Sequence, residues 1–371
     1  MKVAIMTQPL HTNYGGLLQA YALQKSIRDL GHEVKTVDIP FKKNRKKYFR
    51  NVCANIVKKY VLNRNIERIR PVSDAEKEKY AVNTERFITE NITLTEKVPN
   101  VSKIDVLNQY NFDCFVVGSD QVWRPIYSPG IESYFLNFLG ENRNIRRVSY
   151  AASFGVDNVD EFTKLQLDIC SEYAKKFDAI SVRENSALDI LRDDFGVEEP
   201  KLVTDPTLLL KKEDYEELVN KDAQVKPSSG KLMVYVLDKS PDKEKVVESV
   251  SLLTNYKTFT VLPNSVTGVY PPVTQWVKGF MDAEFVVTDS FHGVVFSLLF
   301  NRQFIAIGNK GRGLARFTSI LGRLGLLNRL ILSDDQSVAE LLNNPIDYVD
   351  VNKKLDEFVD YSKLFLKNSL S

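Results

Sequence analysis

The stretch VVTDSFHGVVFSLLF (residues 286–300), which continues as NRQFIAI to residue 307, decides the fold class. Its first apolar residues are too few for a helix and predict a buried strand, which ends in the polar turn at Asp289 and Ser290. The following apolar run predicts a helix, and residues 304–307 predict a second strand. A strand, a helix and a strand in this order form the crossover unit of a parallel sheet. The sequence therefore predicts an α/β protein.

The same alternation of short apolar strands and helices extends in both directions from this stretch. A polar segment at 222–231, which contains Pro227 and Gly230, predicts a linker between two such regions. We expect an α/β protein of two Rossmann-like, doubly wound domains that face a cleft, residues 1–221 and 232–371. We also expect the C-terminal helix, about 352–368, to pack back across the hinge. The strands predicted before the linker are 3–6, 33–39, 114–117, 148–152, 179–182 and 202–204, and those after it are 232–237, 259–262, 285–288 and 304–307.

Composition excludes several classes of protein. The 371 residues carry a net charge of only +2, which does not favour a nucleic-acid partner. The cysteines Cys53, Cys114 and Cys170 are odd in number and far apart, which argues against a disulfide framework or a zinc site. The N-terminal apolar run is too short for a signal peptide, and no run reaches 18 apolar residues. We therefore expect a cytoplasmic protein without a metal.

Residues 41–70 interrupt the alternation with a strongly basic segment. Eleven Lys and Arg residues stand there against one acid, Glu67, and Phe49, Val52, Ile56 and Tyr60 interleave at roughly helical spacing. This pattern predicts an inserted basic amphipathic helix. It is typical of peripheral contact with an anionic membrane surface, but a solvated basic helix and a site for an anionic acceptor fit it nearly as well.

The turn at Ser290 is the strongest candidate site. The N-terminus of a helix offers free N–H groups and a positive dipole to an anion, and ligands of open parallel sheets bind beyond the carboxyl ends of strands. We expect Ser290 to cap this helix and His292 to act as a general acid or phosphate ligand. The alternative is that Ser290 is only a cap and His292 only a loop residue.

Basic residues near other strand ends form a second candidate set. Lys310, Arg312 and Arg316 follow a strand in the loop GNKGRGLAR and can clamp a phosphate and a carboxylate, unless the loop is merely solvated. Arg183 ends another strand and is expected to point into the cleft, unless it pairs with Glu184 or another neighbour. The turns around Gly15-Gly16 and Gly118-Ser119-Asp120-Gln121 are weaker signals for anions or sugar hydroxyls, and tight-turn chemistry alone explains them equally well.

Six strings in this order resemble the polysaccharide pyruvyl transferase family: NYGGLLQAYAL (13–23), VVGSDQVW (116–123), SYAASFG (149–155), ISVRE (180–184), VTDPTLLL (203–210) and VVTDSFHGVVFSLLF (286–300). The resemblance runs from residue 1 to about 332. It implies a GT-B-like fold, phosphoenolpyruvate as donor and a sugar as acceptor. Its critical positions fall on Arg183, His292 and Lys310. One departure is Asn301-Arg302-Gln303, where similar sequences often carry Lys-Pro.

The resemblance implies transfer of pyruvate from phosphoenolpyruvate to hydroxyls of a hexose in a surface polysaccharide or its lipid-linked precursor, forming a cyclic ketal without a cofactor. A nucleotide-sugar-dependent GT-B glycosyltransferase and a non-catalytic carbohydrate-binding protein are the alternatives; residues 294–300 lack the acid that usually holds a nucleotide ribose. The first domain would bind the acceptor and the second the donor. The expected catalytic residues are His292, Arg183 and Asp120; the expected donor-binding residues are Arg183, Ser290, His292, Lys310, Arg312 and Arg316; the expected acceptor-binding residues are Tyr14, Gly15, Gly16, Ser119, Asp120 and Gln121.

Overall fold

The computed structural model of the protein describes residues 1–40, 52, 72–128, 130–308, 313–332 and 338–371. Within these ranges the chain forms two parallel sheets with helices packed against them. Apart from Val52, the predicted basic helix at 41–70 lies outside the described residues, as do Lys310 and Arg312.

The first sheet has six strands in the order β2-β1-β3-β4-β5-β6, and every neighbouring pair is parallel. Strand β1 pairs on both sides, with Val3 opposite Val34 and Cys114, so its apolar run is buried on both faces. The strands are β1 (Lys2–Met6), β2 (Glu33–Thr36), β3 (Cys114–Val117), β4 (Arg146–Ala152), β5 (Ala179–Val182) and β6 (Lys201–Leu202).

Helices before the linker cover this sheet and also reach beyond it. Two of them begin with complete capping boxes, at Ser73 and at Thr163. The centre of the Tyr215 ring, in the helix α5 (Lys212–Lys221), lies 5.1 Å from the centre of the Phe296 ring, so α5 packs against the second domain. The helices are α1 (Tyr14–Asp29), α2 (Asp74–Asn91), α3 (Lys164–Ala174), α4 (Asn185–Asp193) and α5 (Lys212–Lys221), with 3₁₀ turns at Val101–Tyr110, Ile131–Phe135, Asn137–Leu139 and Pro206–Leu209.

The second sheet has five parallel strands in the order β11-β10-β9-β7-β8. The crossover unit predicted from 286–307 is confirmed: strand β9 (Phe285–Thr288) leads into helix α8 (Phe291–Leu299), which is followed by strand β10 (Gln303–Ile307). Strand β8 is shorter than the predicted 259–262, because Leu262 turns into the cleft between the domains. The strands are β7 (Leu232–Tyr235), β8 (Thr258–Phe259), β9 (Phe285–Thr288), β10 (Gln303–Ile307) and β11 (Leu330–Ile331); the helices are α6 (Pro241–Thr254), α7 (Val273–Asp282), α8 (Phe291–Leu299), α9 (Ala315–Leu324) and α10 (Val338–Asn343), with a 3₁₀ turn at Leu327–Arg329.

The last helix, α11 (Tyr348–Ser369), contacts both domains. At its start the Tyr348 hydroxyl donates to the Arg302 carbonyl of the second domain. Toward its end the Ser362 hydroxyl accepts the Thr204 N–H at 2.9 Å, and Leu366 packs in the core of the first sheet. The helix therefore ties the two domains together behind the cleft. None of the helices in the described ranges is long and apolar enough to cross a membrane.

Candidate active site

A cleft of about 640 Å³ lies between the domains, at the carboxyl ends of both sheets. The first domain contributes the start of α1 and the loop after β3. The second domain contributes the loops after β7 and β8, the start of α8 and the Arg316 turn of α9. Polar and aromatic side chains from both sides therefore converge on one space, which is the usual position of a ligand in open parallel sheets.

The turn that begins α8 is fixed by Asp289. Its buried carboxylate accepts the N–H groups of Leu237 at 2.7 Å and Asp238 at 3.0 Å, and pairs with the Lys243 Nζ at 2.6 Å. Ser290 occupies the N-cap position, but its side chain accepts no hydrogen bond from the helix, so the predicted cap is wrong. Ser290, Phe291 and His292 line the cleft, and the Ser290 side chain accepts none of the N–H groups of this turn, which makes the start of α8 a candidate site for an anion.

The His292 ring lies where the two domains meet. Its Nε2 atom is 3.6 Å from Asp205 Oδ2 of the first domain, and it has no hydrogen-bond partner among the described residues. The ring also packs against Gly15 at the start of α1, where a Cβ atom would lie 2.1 Å from His292 Nδ1. Gly15 is therefore required for steric reasons. His292 lines the cleft with 8% of its side chain exposed.

Arg183 does not point into the cleft as predicted. Its guanidinium is buried, with Nη1 at 2.6 Å from Asp205 and Nη2 at 3.3 Å from Asp120, and its plane lies over the Phe291 ring at 4.9 Å. The Ser119 hydroxyl bonds to both Arg183 and Asp205. Arg183 is held in this position because the ends of β3, β5 and β6 place the buried carboxylates of Asp120, Glu184 and Asp205 around it. A direct donor contact by Arg183 stays a prediction.

These buried charged groups shift one another's pKa values. Burial alone raises the pKa of the Asp205 carboxyl, but His292 and Arg183 outweigh it and hold that pKa well below its usual range. Burial raises the pKa of Glu184, although its carboxylate accepts the N–H groups of Phe154 and Gly155. On the first-domain side, Arg183 and the carboxylates around it thus form a network of paired charges beneath the surface of the cleft.

Arg316 is the cation of the predicted donor set that the structure places in the cleft wall. Burial and the nearby Arg183 lower the pKa of Arg316 to about 10, so its charge is disfavoured by this environment. Its guanidinium lies 5.6 Å from the centre of the Phe291 ring. An anionic ligand in the cleft would stabilise the charged form.

The predicted acceptor residues divide into two groups. Tyr14, Asp120 and Gln121 line the cleft, whereas Gly15, Gly16 and Ser119 lie beneath its surface. The Tyr14 hydroxyl already donates to the Pro271 carbonyl at 2.9 Å across the domain boundary. The Asp120 carboxylate accepts from Asn13, Gln121 and Arg183.

The structure brings further residues to the site that the sequence analysis did not assign. Arg124 lies over the Tyr127 ring at 4.9 Å and is held by Glu161 at 2.7 Å, and both Arg124 and Tyr127 line the cleft. Lys239 lines the opposite side. Asp205 was visible in VTDPTLLL after a predicted strand, which is the signal that could have marked it. In the described part of the chain, no group of three or more His, Cys, Asp or Glu residues could hold a metal.

Two α/β domains with parallel sheets, around a cleft that is lined by the start of a helix, define a GT-B-like protein. The model of the polysaccharide pyruvyl transferase family matches residues 13–311, and the chain belongs to this family. The match includes residues from both sides of the cleft, among them Asp120, Arg183 and His292. The resemblance inferred from the six strings is thereby confirmed.

Several solved structures align with most of this chain at low sequence identity. UDP-GlcNAc 2-epimerase from Neisseria meningitidis, bound to UDP-GlcNAc, aligns with a TM-score of 0.48 and 9% identity over 98% of this chain and 94% of that chain. The Rickettsia bellii UDP-N-acetylglucosamine 2-epimerase gives 0.47 and 13%, over 97% of each chain. Arabidopsis thaliana UGT89C1 complexed with quercetin gives 0.47 and 9%, over 99% and 92%. No curated protein sequence matches the chain significantly.

Proposed function

We propose that this protein transfers pyruvate from phosphoenolpyruvate to two hydroxyls of a hexose in a surface polysaccharide or its lipid-linked precursor, forming a cyclic ketal. Membership of the polysaccharide pyruvyl transferase family supports the reaction class. The observation that carries the proposal is the uncapped start of α8 beside His292 and Arg316 in one cleft, which is chemically suited to a small dianion.

Phosphoenolpyruvate carries a phosphate and a carboxylate, and the second-domain side of the cleft supplies hydrogen-bond donors for both groups. The first N–H groups of α8 suit the phosphate, and the Arg316 guanidinium suits either group through charge-assisted hydrogen bonds. Lys310, which the family resemblance adds to this set, and Arg312, which the loop GNKGRGLAR adds, belong to the same proposal. Arg183 contributes positive charge from beneath the cleft.

His292 then acts as a general acid in this proposal. Its ring proton passes to the methylene carbon of the donor, so that C2 becomes electrophilic and a sugar hydroxyl adds to it. A second hydroxyl forms the other C2–O bond while the bond from C2 to the phosphate oxygen breaks. One hydroxyl proton returns to His292 and the other leaves with inorganic phosphate, so the equation balances without a cofactor. In this proposal Asp120, which lines the cleft, holds an acceptor hydroxyl.

The acceptor side and the membrane complete the proposal. A lipid-linked acceptor would give the basic segment 41–70 a role at anionic bilayers, where each basic residue contributes roughly 1 kcal/mol. We expect salt-sensitive co-sedimentation with vesicles containing anionic lipid, which decreases when Lys42, Lys43, Lys46 and Lys47 are changed to Gln. Binding that the four substitutions leave unchanged would refute this contact.

The direct test is phosphate release from phosphoenolpyruvate in the presence of hexose-containing acceptors. The product should gain the mass of pyruvic acid less one water, and mild acid should remove the added group. A product that keeps an enol ether would refute the ketal. Turnover with a nucleotide-sugar and not with phosphoenolpyruvate would replace the donor; binding of sugar without turnover of either donor would favour a non-catalytic protein.

A further inference from the structure

The proposed acid, His292, belongs to the second domain, but its ring is enclosed by the first. Asp205 Oδ2, in the loop after β6, lies 3.6 Å from Nε2. Gly15 Cα, at the start of α1, lies against the opposite nitrogen, where a Cβ would come within 2.1 Å of Nδ1. Nε2 thus faces a carboxylate, and Nδ1 lies against Gly15, where a residue with a Cβ would collide with the ring.

The Asp205 carboxylate is itself rigidly held. Its Oδ1 accepts the N–H of Thr207 at 3.1 Å and the Thr207 hydroxyl at 2.8 Å, and its Oδ2 accepts from Arg183 at 2.6 Å and Ser119 at 3.2 Å. The side chain is 1% exposed, so it cannot turn away toward water. A carboxylate fixed on both oxygens has one orientation, and its Oδ2 is directed at His292.

We propose that Asp205 is a positioning residue for His292: its fixed Oδ2 holds the ring through Nε2, while Gly15 leaves the space that the ring occupies, so that Nδ1 serves the donor. The proposal rests on the proposed function of His292 as the acid. In the step described above, the Nδ1 proton moves to the methylene carbon and returns from the acceptor hydroxyl. Nε2–H remains beside Asp205 throughout.

The geometry adds a conformational condition to the reaction. Asp205 and Gly15 belong to one domain and His292 to the other, so this arrangement exists only when the domains meet as they do here. Separation of the domains would leave the acid without its carboxylate. Proton transfer is therefore linked to domain contact, which limits it to the enclosed cleft.

The competing explanation is that Asp205 serves Arg183 alone. The charged or titratable groups around Asp205 are Arg183, Asp120 and Glu184 of the first domain, His292 of the second, and the more distant Tyr150 and Tyr215. A purely structural role would lower stability or activity without changing the pH at which His292 gains its proton. The decisive measurement is therefore the titration of that ring.

The chain has three histidines, so ring resonances can be followed individually by NMR, with His292→Gln identifying the relevant signal. We expect Asp205→Asn to move the midpoint of the His292 titration to lower pH, because the substitution removes a carboxylate that lies 3.6 Å from Nε2 and stabilises positive charge on the ring. The matched control is Asp222→Asn. Asp222 also joins elements across the domain boundary, bonding Arg86 at 2.7 Å and Thr274 at 2.5 Å, but outside the cleft lining. It should leave the midpoint unchanged.

Activity gives the second readout. In Asp205→Asn the high-pH limb of kcat should move to lower pH, and kcat at neutral pH should fall about tenfold for one unit of displacement. If Asp205→Asn does not fold, Gly15→Ala tests the pairing of Asp205 with His292 and leaves the contact between Asp205 and Arg183 intact. The added methyl group should displace the His292 ring and shift the high-pH limb of the kcat profile. Gly322→Ala is its control, since the nearest atom to a Cβ there is 3.9 Å away.

The outcomes separate the two proposals. An unmoved His292 midpoint in folded Asp205→Asn, or an unmoved limb in folded Gly15→Ala, would overturn the positioning role. A shifted midpoint in a protein that releases no phosphate from phosphoenolpyruvate would support the Asp205–His292 pairing and count against the proposed function instead.

Discussion

The two walls of the cleft differ in how much of their charge is held in a shared network. In the first-domain wall, formed by Asn13, Asp120, Arg183 and Asp205, charged groups bond to one another and are buried. In the second-domain wall Asp289 is likewise paired with Lys243, but the Ser290 side chain caps no helix N–H and the pKa of the buried Arg316 guanidinium is lowered. A network of paired groups holds its shape, whereas a cation whose charged form is disfavoured by burial is stabilised by an anionic ligand. We infer that the first domain positions and the second binds the donor.

The starts of α3 and α8 show the same difference at the level of one turn. Thr163 accepts the Gln166 N–H and the Gln166 side chain bonds back, which closes a capping box on the surface. Ser290 holds the equivalent position in α8 without such a bond. A helix end that is left open beside a cleft is available to an anion, whereas the capped end is not.

Arg183→Ala should have the largest effect, and it should be on stability. Removing the guanidinium leaves Asp205, Asp120 and Glu184 buried without their cation, which costs about 3–5 kcal/mol when one partner of a buried pair is lost. Urea unfolding measures this loss. The control is Arg86→Ala, which breaks the partly exposed pair with Asp222 and should cost about 1 kcal/mol or less. Unchanged stability with a ten- to hundredfold loss of donor affinity would instead make Arg183 a direct donor ligand.

His292→Ala tests the opposite wall and should act on the rate. Without the acid we expect kcat to fall about a hundredfold or more, equivalent to about 2.7 kcal/mol, while donor affinity changes little because the α8 N–H groups remain. Steady-state rates beside calorimetric titration with phosphoenolpyruvate separate the two quantities. Full turnover by this variant would remove His292 from the chemistry and move the acid to Lys310.

The sequence predicted the fold better than it predicted the direction of side chains. Short apolar runs such as 285–288 specify buried parallel strands by local pattern alone, and the turn after them marked Ser290 and His292. The pairing of Asp205 with His292 joins residues far apart in sequence and in different domains, so no local pattern encodes it. Likewise, Arg183 turns inward because three separate strand ends surround it with carboxylates, which only the assembled sheet determines.

Arg316→Gln should raise stability while weakening binding. A guanidinium whose pKa is lower in the folded than in the unfolded protein destabilises the fold wherever it is charged, which for a value of about 10 includes neutral pH. The variant should therefore unfold at higher temperature without ligand, yet bind phosphoenolpyruvate about ten- to a hundredfold more weakly. Calorimetric scans with and without donor measure both. A lower unfolding temperature and unchanged affinity would make Arg316 a structural residue of the second wall.

The smallest effect is expected from Ser290→Ala, compared with Thr163→Ala. Thr163 completes a capping box, so its loss should cost about 1 kcal/mol in urea unfolding. Ser290 makes no such bond, so its loss should cost less than about 0.5 kcal/mol. If its hydroxyl instead serves the bound phosphate, donor affinity should fall by roughly fivefold, the equivalent of about one neutral hydrogen bond, while Thr163→Ala leaves affinity unchanged. Equal losses of stability in the two variants would mean that Ser290 caps α8 in solution, and the difference between a closed surface helix and an open cleft helix would then disappear.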